Sequence, residues 1–185
     1  MAGKIKIRPV TWGSTSYKQV LQLRNEILNK PSNLPLIEKM PENEKKFIIL
    51  AAYYKNEIVG TLSIDRLSSD TVQIRQVAIS SKLQGHGIGK KLMTSAERIA
   101  KFFRFKRVVL DARDSAWNFY EKLGYYARSD KEMYSNEGLY MKPYEKNIEL
   151  SVFKFNHRNA MFYHIMDRKM KYMFNPIEED QTIWI

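Results

Sequence analysis

Polar and apolar residues alternate through residues 4–10, KIKIRPV, which is the two-residue period of a strand with one face buried. The period then changes. Tyr17, Val20, Leu21, Arg24, Ile27 and Leu28 recur at helical steps, predicting a helix that starts at a Ser16/Gln19 capping box and stops before Pro31. Residues 31–46 hold three prolines and little periodicity, so a loop with room for a short helix is expected there. The apolar runs FIILAAYY and IVGTLSIDRL, separated by Lys55-Asn56-Glu57, predict a hairpin. Ser68-Ser69-Asp70 turns the chain into a third strand, TVQIRQVAIS, which leads into LQGHGIGKKLM at residues 83–93.

Beyond that glycine-rich stretch, Ile88, Leu92, Ala96, Ile99 and Phe103 recur every three or four residues and predict an amphipathic helix. RVVLDA at 107–112 is short and β-branched, as a buried strand of a parallel pair would be. Ala116, Phe119, Tyr120 and Leu123 mark one face of a further helix, capped by Asp114 or Ser115 and stopped by Gly124. YYARSD and EGLYMKPY read as closing strands. This order of elements implies an α/β class fold, a mixed sheet with helices packed on it, over roughly residues 4–145.

Residues 146–185 form a C-terminal extension. NIELSVFKF reads as a strand, and Met161, Phe162, Ile165, Met166, Met170, Met173 and Phe174 recur at helical spacing up to Asn175-Pro176. An amphipathic helix docked on the domain at 1–145, or on a second subunit in a homodimer, is the expectation.

At 185 residues and 44% hydrophobic content, one well-buried domain with an appendage accounts for the chain. There is no apolar run of membrane-spanning length, no cleavable signal pattern and no cysteine, so a cytoplasmic setting without disulfides or thiol catalysis is expected. The 31 basic and 20 acidic residues give a formal charge of +11 and invite an anionic partner. No nucleic-acid motif accompanies that charge, and no nucleic-acid or membrane partner is expected. The three histidines show no metal-ligand spacing, and no metal is expected.

A helix N-terminus presents unpaired N–H groups and the positive end of the helix dipole, and glycines let an anion approach them. The stretch from Gln84 to Lys90 has that character, although glycine-rich strand-to-helix turns are also common as plain structure. A P-loop would need glycine at 84 and Ser or Thr at 91, where Gln84 and Lys91 stand. The dinucleotide fingerprint fails too, because Gly85, Gly87 and Gly89 are evenly spaced by two.

What the stretch does match is Gln84-x-x-Gly87-x-Gly89, which resembles the Q/R-x-x-G-x-G/A signature of the GNAT superfamily of N-acetyltransferases. A second segment, carried by Ala116, Phe119, Tyr120, Lys122, Gly124 and Tyr125, resembles the family's A-x-x-F-Y-x-K-x-G-[FY] pattern. The resemblance implies a GNAT-like acyl-CoA N-acyltransferase fold and transfer of acetyl from acetyl-CoA to a small-molecule or peptide primary amine, in a ternary complex. The pyrophosphate would rest on Gln84, Gly85, His86, Gly87, Ile88, Gly89 and Lys90. Val77 and Ile79 would pair their main chain with the pantetheine arm, and Val77 or Ala78 would donate to the oxyanion. Tyr120 stands where the family commonly places its general acid, yet its place on an apolar helix face also fits plain packing. Many relatives carry a strand glutamate as general base at the position that here is Gln73. A carboxylate elsewhere, with Asp65 and Glu26 as candidates, a water relay or an already neutral amine would have to serve. That missing carboxylate also leaves open a GNAT-fold sensor or scaffold that binds acyl-CoA without turnover.

Overall fold

The computed structural model describes residues 4–128, 133–135 and 138–149; the Met-rich helix expected over 161–174 and most of the strand expected at 147–155 lie outside the described residues. Strand β1 (Lys6–Val10) leads to helix α1 (Thr15–Arg24), then to β2 (Ile48–Tyr54), β3 (Glu57–Arg66) and β4 (Thr71–Ile79). Helix α2 (Ile88–Phe102), strand β5 (Arg107–Ala112) and helix α3 (Trp117–Lys122) follow, and β6 (Tyr126–Ala127), β7 (Met133–Tyr134) and β8 (Tyr140–Asn147) close the chain. The strands lie in the order β1-β2-β3-β4-β5-β8-β6, with β7 paired to β8. Among the described strands only β4 and β5 run parallel, so the sheet is mixed, as the element order implies.

Each face of this sheet buries its own cluster. Ile48, Leu50 and Ala52 of β2, with Leu62, Ile64, Val72, Ile74, Val108 and Leu110, pack against Ile88, Leu92, Ala96 and Ile99 of α2. Ile49 and Ala51 point the other way, to Tyr17, Val20 and Leu21 of α1. Burial on both faces is why β2 reads as a continuous apolar run with no alternation. Its hairpin to β3 turns on Lys55 and Asn56, both at positive φ, and a two-residue turn of that kind matches the strands' twist.

Three details depart from the pattern-based expectations. The N-cap of α1 is Ser14, whose Oγ accepts the Tyr17 N–H at 3.2 Å, and not a Ser16/Gln19 box. The helical path also does not stop before Pro31: α1 runs into a π-helical turn, Asn25–Asn29, and a 3-10 turn, Lys30–Ser32, that includes the proline. Pro31 is tolerated in the first positions of a helical turn, where its missing N–H would have had no partner. Neither Asp114 nor Ser115 caps α3, because both lie in a preceding 3-10 turn, Asp114–Ala116.

Beneath α1 lies a buried polar group. Arg24 is fully buried, and its Nη1 donates to both Glu44 carboxylate oxygens at 3.0 and 2.8 Å while Nη2 donates to Ser63 Oγ at 2.7 Å. Tyr17 Oη donates to Glu44 Oε2 at 2.9 Å. Burial, then the Glu44 charge, pushes the Tyr17 phenol well above its usual value. The group ties α1, the turn before β2 and strand β3 together.

Candidate active site

Strands β4 and β5 pair over only three residues each, Thr71–Gln73 with Arg107–Val109. Both continue, β4 to Ile79 and β5 to Ala112, without pairing to each other, so a gap opens between them beyond Gln73 and Val109. Across β4's other edge the ladder to β3 persists, with Ala78 opposite Thr61 and Ile79 opposite Gly60. A bulge lies between, at Gln76, whose φ of 53° is left-handed although it is not glycine. Such a conformation costs on the order of 1–3 kcal/mol and persists where the surrounding structure demands it. Val77 and Ile79, the expected pantetheine partners, are half-buried along this stretch, and Ala78 between them is buried.

From the end of β4 the chain passes straight to the glycine loop. Ser80 N–H donates to Val59 O at 2.9 Å, a 3-10 turn covers Ser81–Leu83, and Gln84 through Gly87 are exposed. The Gln84 amide reaches back to Ile79 O at 3.1 Å, and His86 Nδ1 sits 2.9 Å from Gln84 O. Gly87, at φ 74°, is the N-cap of α2, and no side chain caps that end. The helical ladder starts with Lys91 N–H to Gly87 O, which leaves the N–H groups of Ile88, Gly89 and Lys90 without intrahelical acceptors. Ile88 is buried and fixes the helix end to the core, while Lys90 is exposed. The loop thus offers a row of N–H donors, a helix dipole and a lysine, a combination suited to phosphate.

Helix α3 packs against this loop. A Cβ added to Gly89 would stand 3.0 Å from Phe119 Cζ, so glycine there lets the two motifs, about thirty residues apart in sequence, touch. The neighbouring Tyr120 is 6% exposed, with ring centroids of Phe119, Tyr125 and Tyr144 at 5.0, 5.9 and 6.4 Å. Burial pushes its phenol above the usual value. Tyr120 therefore holds its proton at neutral pH and releases it less readily than an exposed tyrosine.

Gln73 sits at the apex of the gap. Its Nε2 donates to Asp111 Oδ2 at 3.0 Å and its Oε1 accepts from Arg75 Nη1 at 3.3 Å. Asp65 lies opposite Gln73 on β3, 4.0 Å from Arg75 Nη1, and burial raises its carboxyl. Glu26 is exposed, in the π-helical turn after α1. Among the described residues no group of three His, Cys, Asp or Glu gathers to hold a metal.

Residues 17–125 match the model of the acetyltransferase (GNAT) family. The chain belongs to the GNAT family. A Bacillus subtilis protein named as an acetyltransferase is 32% identical over 84 residues, 45% of this chain and 56% of that protein's length. Among solved structures, a Lactobacillus plantarum protein named as an N-acetyltransferase superposes with a TM-score of 0.67 at 20% identity, covering 78% of this chain and 99% of its own. A GNAT family acetyltransferase from Elizabethkingia anophelis, with acetyl-CoA bound, superposes with a TM-score of 0.56 at 20% identity, covering 77% and 97%.

In this GNAT protein β4 leads from the gap into the loop from Gln84 to Lys90, and Gly89 of that loop meets Phe119, whose ring lies 5.0 Å from that of Tyr120. Two participants escape a reading of the sequence. Gln76 carries no glycine or proline signal for its bulge, and Asp111 is a lone charge in a strand until the fold lets the Gln73 amide reach it from β4. No helix among the described residues is long and apolar enough to cross a membrane.

Proposed function

We propose that the protein moves the acetyl group of acetyl-CoA to a primary amine by direct attack within a ternary complex. The observation that carries this reading is the gap between β4 and β5 opening beside the uncapped N-terminus of α2. The cosubstrate's pyrophosphate would lie on the main chain from Gln84 to Lys90, with Lys90 adding charge. Its pantetheine amides would extend the β4 ladder along Val77 to Ile79, where the main chain has no strand partner on the β5 side. The thioester carbonyl would then lie by the bulge, and an N–H of Val77 or Ala78 would meet the oxyanion, a contribution of about 3 kcal/mol to the barrier in comparable sites. Tyr120 would protonate the departing thiolate.

The test is calorimetry with acetyl-CoA on the wild type and on Gly87→Asp and Gly87→Asn. The two substitutions share the same backbone cost at φ 74°, and only aspartate adds a charge where phosphate would rest. Wild-type binding, retained in the asparagine variant to within about tenfold and lost in the aspartate variant, is expected. Equal affinity in all three proteins would refute the loop as the phosphate site.

A further inference from the structure

The missing strand carboxylate leaves the acceptor's proton without a destination, and the neighbouring strand supplies one. Gln73 is the register partner of Asp65 on β3 and of Val109 on β5, so these three side chains share one face of the sheet, and Arg75 and Asp111, each two residues further on, share it as well. It is the face opposite α2, since Ile64, Ile74, Val108 and Leu110 point to the α2 cluster. Asp111 lies two residues past Val109, the last β5 residue paired to β4, and so at the lip of the gap. It is exposed.

The charged groups around it are occupied elsewhere. Arg75 reaches the Gln73 amide oxygen and Asp65. Arg113, next on this side of β5, donates to Leu28 O and Ser32 Oγ. On β8, Glu145 accepts from Tyr126 Oη and pairs with Arg128 at 3.8 Å. Of the three strand carboxylates around the gap, Asp65 and Glu145 each have a guanidinium, whereas Asp111 has, among the described residues, only the neutral amide of Gln73 on one oxygen. That amide fixes the carboxylate and leaves its other oxygen for an incoming cation.

We propose that Asp111 is the general base for the acceptor amine and that Gln73 positions it, an assignment that rests on the acetyl-transfer reading above. One proton passes from the acceptor's ammonium to the free oxygen of Asp111. The nitrogen lone pair bonds the thioester carbonyl carbon, the C–S bond breaks, and the thiolate takes the Tyr120 proton. The nitrogen's second proton leaves as the amide forms and replaces, through solvent, the one that Tyr120 gave, and Asp111 releases its proton to solvent, the one proton set free per turnover. The acceptor is accordingly a cationic primary amine.

The test measures CoA release with acetyl-CoA and the fastest acceptor among ethylamine, tyramine, spermidine and kanamycin. Asp111→Asn keeps an oxygen for the Gln73 amide, so fold and acetyl-CoA affinity are expected to hold while kcat at neutral pH falls about a hundredfold or more. The deficit should shrink as pH rises and the amine arrives already neutral. Adding Gln73→Glu to Asp111→Asn should restore at least about tenfold, because it returns a carboxylate to the adjoining strand. A loss under about threefold, a loss that does not shrink with pH, or a larger loss in Asp65→Asn would overturn the assignment. Wild-type protein that binds acetyl-CoA yet turns over no amine would overturn it together with acetyl transfer, and absence of acetyl-CoA binding would instead refute the cosubstrate reading itself.

Discussion

Replacing Arg24 by methionine removes the cationic half of a fully buried pair. The variant loses two hydrogen bonds to Glu44 and one to Ser63, and leaves a carboxylate 3% exposed with only the Tyr17 hydroxyl. Breaking such a pair from one side costs about 3–5 kcal/mol, because the remaining charge stays out of water. Arg24 Nε has no partner among the described residues, and an unpaired buried N–H already costs the wild type about 1–3 kcal/mol, which moves the expectation to the lower end of that range. For a chain of this size, about 3 kcal/mol corresponds to a melting temperature lower by roughly 6–12 °C. Glu44→Met alone should also destabilise, whereas the double variant, with an apolar pair in place of the ionic one, should be more stable than either single change. Urea unfolding of all four proteins measures the cycle. A cost below about 1 kcal/mol for Arg24→Met at unchanged denaturant slope, or strictly additive single and double variants, would refute the reasoning.

Tyr120→Phe keeps the ring contacts to Phe119, Tyr125 and Tyr144, so stability and acetyl-CoA affinity should hold while kcat at saturating acetyl-CoA falls about a hundredfold to ten-thousandfold. A melting shift with a rate within about threefold of wild type would instead assign the residue to packing. Hydrogen bonds from Thr71, Ser68 and Arg107 hold the Asp70 carboxyl down at about 2. A depressed carboxyl contributes stability that is present above its unfolded value, about 3.9, and lost as pH falls towards 2. The gap in urea midpoint between wild type and Asp70→Asn should therefore close from pH 5 to pH 2, and a gap constant over that window would contradict it.

Elements with a strong period were legible because burial writes itself into spacing: α2 is the case, with Ile88, Leu92, Ala96 and Ile99 all buried on one side. Caps were harder. In the run Gly13-Ser14-Thr15-Ser16 several hydroxyls compete, and Ser14 prevails through a turn closed by its own bonds to Thr11 O, which spacing alone does not encode. The two motifs identified the family, and their contact at Gly89 and Phe119 follows from how α3 packs, a three-dimensional fact. Least legible was the gap itself. Unpaired strand edges are a matter of main chain, and TVQIRQVAIS gives no sign that its second half loses its neighbour on one side.

Peptide N–H and C=O groups along the open edges of β4 and β5 survive every substitution except proline, which deletes the N–H. A grip built from them is insulated from side-chain drift, so substitutions along β4 would leave the proposed hold on acetyl-CoA in place. The same insulation hides the site from alanine scanning: replacing Val77 or Ile79 by alanine leaves the donors and acceptors in place and perturbs only packing. On the proposed reading, positions whose main chain holds the cosubstrate would look indifferent in a mutational survey, and the side chains that register strongly would be those that move protons, Asp111 and Tyr120.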